Sequence, residues 1–174
     1  MDHLLPRGIR NHNPGNIRQS NIRWQGMRDK PFDPEFVEFK EALWGLRALM
    51  KVLLTYYNKY GLDTVQSIVN RWAPPSENAT GHYAAHVARC LGVKRYDVIS
   101  VPDVLVPLAK AITLHENGRP DYKNKMPKYW YSDALYEQAK EHAFGYVDKK
   151  DQTHNVSDYS PVYETKSCMT GMQV

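Results

Sequence analysis

The chain has 174 residues, enough for one domain with a real core and a further extension. Apolar residues make up 42% and the formal net charge is +4, which argues against wholesale disorder and permits an anionic polymer as partner without requiring one. Two cysteines, Cys90 and Cys168, give neither a disulfide framework nor a metal-ligand spacing, and no apolar run has the length of a signal peptide or a membrane span, so synthesis in a cytoplasm is expected.

Residues 7–37 are rich in Asn, Gly, Pro and Arg. Within them RNHNPGNIR reads as turn chemistry, because Asn13-Pro14 and Gly15-Asn16 both favour turns. The segments 17–24 and 36–39 are short enough for a small hairpin-like sheet. From 40 to 60 the residues Leu43, Leu46, Leu49, Met50, Leu53, Leu54 and Tyr57 recur at three- and four-residue spacing, which predicts a helix closed by Gly61. Asp63 then caps a second helix with Val65, Ile68, Val69 and Trp72 as its apolar stripe, stopped by Pro74 and Pro75. Thr80 caps a third over 82–91. Asp103 caps a fourth that runs through Leu114, with Pro107 in its first turn, where amide hydrogens lack partners anyway. A fifth spans 133–144. The expectation is a mainly α chain, five or so helices with a small β-hairpin region. It divides into a domain over 7–145 and a polar C-terminal extension over 146–174, extended until a partner orders it.

Glu116 ends the most apolar of these helices and is followed by Gly118, which lets the backbone turn away. Burial and the negative end of a helix dipole both disfavour a carboxylate, so a Glu in this place can stay protonated near neutral pH, as general acid chemistry on a glycosidic bond requires. An exposed Glu in a helix end would fit the same pattern. Glu77, in the polar loop RWAPPSENATGHY, is the best second carboxylate, although it could equally cap the helix after it; Asp121 and Glu41 are weaker. His82 and His86 have the i, i+4 spacing of zinc ligands but lack the Glu of an HExxH helix, so no metal is expected. Sugar rings stack on aromatic faces, and Tyr83, Tyr122, Tyr129 and Trp130 are less accounted for by helix periodicity than Trp44 and Trp72, which read as core. No phosphate loop, dinucleotide fingerprint or nucleophile elbow occurs.

The run RGIRNHNPGNIR, followed by RWQGM, FVEF and WGLRALMKVLLTYYNKYGLDTVQSIVNRWAPPSENATGHYAAHV, resembles a group of phage structural proteins and lysozyme-like enzymes over residues 7–122. The same landmarks look like bacterial glucosaminidases of the lysozyme superfamily. In those, an Asn-rich turn, a Trp-x-Gly, an aromatic-rich strand and a long helix follow in the order seen here for Asn13–Arg18, Trp24–Gly26, Phe36–Phe39 and the helix from Lys40. Their catalytic Glu closes an Ala-rich helix in a Glu-x-Gly context ahead of the turn. Here the matching element, LAKAITLHENG, comes at the other end of the domain, as in a circular permutation.

The resemblance implies a lysozyme-like fold that cleaves β-1,4 bonds of bacterial peptidoglycan without a cofactor, as a hydrolase or a lytic transglycosylase. Glu116 would be its acid, with Glu77 as a second catalytic carboxylate. Asn13, Asn16, Tyr83 and Tyr122 would be substrate-binding. It also implies a place in a virion, or in host cytoplasm before release to the cell wall, with other virion proteins as partners through the C-terminal extension. The rival expectation is a non-catalytic virion structural protein that binds glycan or other virion proteins. Nucleic acid binding, resting on charge and scattered Arg–aromatic pairs alone, ranks below both.

Overall fold

The computed structural model describes residues 5–74, 79–120 and 128–145. Among them are six helices and no sheet: α1 (Arg7–Arg10), α2 (Ala42–Tyr60), α3 (Val65–Trp72), α4 (Ala79–Leu91), α5 (Leu105–Asn117) and α6 (Asp133–Phe144). The mainly α expectation holds. The single turn α1 has no apolar period long enough to announce it.

α5 organises the rest. Leu105, Val106, Leu108, Ala109, Ala111, Ile112, Thr113 and Leu114 are all buried, so this helix is apolar nearly all round and needs neighbours on every side. It packs against α1, α2, α4 and α6, while α2 also packs on α6 and α3 on α4. The caps explain where the elements stop. α2 ends at Gly61, whose φ of 63° lets its amide and that of Leu62 fold back onto the carbonyls of Tyr57 and Tyr56. Ser132 caps α6 and Gly145 closes it.

Three expected caps move. The second helix is capped by Thr64, one residue after Asp63. Thr64 and Ser67 exchange side-chain and backbone hydrogen bonds in a capping box, while the Asp63 carbonyl accepts the Ile99 amide at 2.7 Å. α4 already starts at Ala79, so Thr80 lies inside its first turn and donates its hydroxyl to the Ala73 carbonyl at 3.2 Å. α5 follows Val104, whose side chain has no acceptor to cap it, after a turn in which the amides of Asp103 and Val104 donate to the Ser100 carbonyl.

The expected β-hairpin is not formed. The paired segments make only isolated antiparallel bridges, Arg18 with Phe36 and Met27 with Phe39. The chain between them carries Gly26, Pro31 and Pro34 and is pulled into turns. Glu38, for example, accepts the amides of Phe32 and Asp33 on its Oε1. Backbone groups there are satisfied by side chains and turns rather than by a continuous ladder.

The Asn-rich turn is the most tightly fixed part of the N-terminal segment. Asn13 is fully buried. Its amide nitrogen donates to the carbonyls of Ile17 at 2.9 Å and Val37 at 2.8 Å, and its Oδ1 accepts the Ile17 amide at 2.9 Å. The turn lies flat on α2 at Gly45, where any Cβ would overlap the His12 carbonyl oxygen. Asn117, on the last turn of α5, donates to the Pro14 carbonyl at 2.8 Å and ties the turn to the central helix.

Candidate active site

The C-terminal turn of α5 presents His115, Glu116 and Asn117 to three other parts of the chain. Glu116 is partly buried and accepts three hydrogen bonds. The Asn16 amide donates to Oε2 at 3.0 Å, the Tyr83 hydroxyl to Oε1 at 2.8 Å and the Trp72 indole to Oε1 at 3.3 Å. The donors come from the Asn-rich turn, from α4 and from the last turn of α3, so three separate segments converge on this carboxyl group.

Each donor is held from behind. Asn16 sits at φ 49°, a left-handed conformation that Asn tolerates better than most residues, and its backbone N–H donates to the Asn13 carbonyl at 2.9 Å. The Trp72 ring meets the buried Tyr56 edge-on at 6.3 Å and lies so close to Gly15 that a Cβ there would stand 2.9 Å from it. Tyr83 is buried, and its ring stacks on His115 with centroids 3.6 Å apart.

Two opposing influences act on Glu116. Burial raises its pKa, and the hydrogen bonds from Asn16, Tyr83 and Trp72 lower it; burial is the larger and the pKa lies above the ordinary Glu value. Burial, then the nearby Glu116 charge, pushes the Tyr83 hydroxyl well up, so it keeps its proton and remains a donor. Burial, assisted by His86, holds His115 down at about 4, which leaves the stacked ring neutral over most of the pH range. His86 is lowered as well, by burial and then by Arg89 and Arg119.

A carboxyl group offers about four lone-pair sites. Two on Oε1 are used by Tyr83 and Trp72 and one on Oε2 by Asn16, so among the described residues one position on Oε2 is left for a proton or an incoming group. Trp130 reaches the same end of α5, donating its indole N–H to the Gly118 carbonyl at 2.8 Å.

Of the residues expected at a site, Glu116, Asn16 and Tyr83 are brought together. Asn13 stands one step back as the frame of the turn, with its side chain committed to Ile17 and Val37, so its part is structural. Glu77, Tyr122 and Asp121 lie outside the described residues. Glu41 is exposed ahead of α2, and among the described residues no second carboxylate contacts Glu116. His82 is exposed, whereas His86 lies 3.6 Å from the Cys90 sulfur and close to His115. Among the described residues no group of three His, Cys, Asp or Glu could hold a metal ion. Trp72 was expected in the core. Its ring is there, but its N–H is at the site; the usable signal was a donor-only side chain on the last turn before Pro74.

Among the described residues no helix is long and apolar enough to cross a membrane. No family model matches the chain. It is 37% identical over 119 residues to Protein P5 of Pseudoalteromonas phage PM2, a match covering 67% of this chain and 74% of that protein. By that extent of identity, the chain belongs to the family of the phage protein P5.

Proposed function

We propose that this chain is a virion protein of a phage and that its Glu116 site cleaves the glycan strands of bacterial peptidoglycan. The relationship to a phage protein supports the first half. The second half is carried by one observation: a carboxyl group at the end of the central helix, with a raised pKa, a free position on Oε2 and three donors fixing its orientation.

In this reading the helical domain is a lysozyme-like one. Glu116 protonates the leaving oxygen of a β-1,4 bond from Oε2, while Asn16 and Tyr83 hold the carboxyl in place. The resulting carboxylate then takes a proton back. It comes either from water, giving a reducing sugar, or from the muramic 6-hydroxyl as that oxygen closes on C1, giving a 1,6-anhydro sugar. The second route needs only one acid/base residue, which suits a site where the described residues supply one carboxylate. Other virion proteins are the further partners of this reading, through the 146–174 extension.

A non-catalytic virion protein is the second reading. Three donors on a buried carboxylate also describe a structural joint that binds the Asn-rich turn, α3 and α4 to α5. Mass spectrometry of purified peptidoglycan after incubation with the protein separates the two. New reducing ends or anhydro ends are expected; intact glycan strands would leave the joint as the explanation.

A further inference from the structure

Arg47 and Lys51 stand one turn apart on α2, far in sequence from every residue of the Glu116 site. Both are partly buried. Most other partly buried cations in the described chain have a counter-charge or an aromatic face. Lys110 has Asp133 at 2.7 Å, Arg7 has Asp33, and Arg71 lies over the Tyr60 ring at 3.8 Å. Arg47 and Lys51 have none among the described residues, and the Arg47 Nε is both buried and without a hydrogen-bond acceptor. Burial lowers the pKa of each, and Arg47 lowers that of Lys51 further, so the two charges are near enough to repel.

A guanidinium does not lose its proton at ordinary pH, so an anion is the natural relief for this pair. Two like charges at i, i+4 are also unfavourable for the helix itself. The anion has to bring about two negative charges and to accept from both a planar fork and a rotating ammonium. A carboxylate answers one charge; a phosphate dianion answers both and suits the bidentate geometry of arginine.

We infer that Arg47 and Lys51 form a binding site for a phosphate group on the flank of α2, separate from Glu116. Its occupancy is independent of whether Glu116 cleaves glycan.

The test uses the full chain and inorganic phosphate, with chloride and acetate at matched ionic strength. Phosphate at ten times its Kd is expected to raise the thermal midpoint by about 6 °C, and to shift the Arg47 Nε–H resonance. Both effects should be lost in Arg47→Gln and in Lys51→Gln, each compared with its own phosphate-free midpoint. Equal protection by acetate, or a phosphate effect that survives in either variant, would overturn the site. So would the absence of any phosphate effect in the parent chain.

Discussion

At the residue scale the proposed chemistry rests on Glu116 and on the two rings that donate to it. Glutamine keeps the size and polarity of Glu116 but cannot serve as an acid. Glu116→Gln should lower glycan cleavage by roughly 10² to 10⁴, with folding retained, because removing a desolvated carboxyl costs little stability. A folded variant with normal product release would end the acid role. Glu77→Gln run beside it would move that role to the loop if it alone were inactive.

The neighbouring histidine gives a second prediction, with a definite sign. His115 binds its proton at about 4 in the fold and near 6.5 when unfolded. The unfolded state therefore holds more protons in that window, and stability falls as the pH drops from 6.5 to 4. His115→Phe keeps a ring to stack on Tyr83 and removes the titration, so its urea midpoint should be flatter across that window than the parent's. Glu116 acts in the opposite sense. Its pKa is raised in the fold, so its contribution is present below the ordinary Glu range and lost as the pH rises through the raised value. Glu116→Gln should remove that loss.

At the element scale, the seat of the Asn-rich turn on α2 decides whether Asn16 meets Glu116 at all. A Cβ at Gly45 would overlap the His12 carbonyl and stand 3.0 Å from the Pro14 ring. Backbone cannot swing aside as a long side chain can, so the turn must lift. Gly45→Ala should cost about 1–3 kcal/mol by overpacking. Because the Asn16 bond lowers the Glu116 pKa, its loss should also make the carboxyl titrate higher, as read by carboxyl carbon NMR. A destabilised variant with an unchanged Glu116 titration would show that Asn16 follows the helix by some other support.

The same elements show what a sequence can convey. α2 and α6 were legible to within two residues because an apolar period and a closing glycine coincide. The caps at Thr64 and Val104 were missed by one residue, since Asp63 and Thr64 are both competent caps and only the reciprocal bond with Ser67 selects between them. The hairpin failed because short apolar segments say nothing about whether the residues between them will pair or turn. At the site, Glu116 was legible from its own helix. Its contact with Asn16 spans 100 positions, which no local spacing encodes. Trp72 was hidden by its own apolar ring, whose burial is real but whose N–H serves a different neighbour.

At the scale of the whole molecule, the question is how much of the chain the fold needs. The buried apolar cluster runs from Ile17 to Ala143, and α6, its last contributor, places Tyr136, Ala139 and Ala143 against α2 and α5 before Gly145 closes it. Each buried large side chain in such a cluster is worth about 1.5–3 kcal/mol, so removing α6 would be ruinous. The extension after Gly145 has few aliphatic residues to add to that sum. Deleting residues 150–174 should therefore leave a single cooperative thermal transition, within about 4 °C of the parent, the shift that roughly 1 kcal/mol gives in a chain of this size. The truncation keeps every described residue, so the Glu116 cluster and the Arg47–Lys51 pair should both survive it. Glycan cleavage, if it belongs to the helical domain, should survive as well, whereas incorporation into virions should fall if the extension is what other virion proteins hold. A truncated chain that no longer unfolds cooperatively would place part of the extension in the core, and the domain boundary at 145 would have to move.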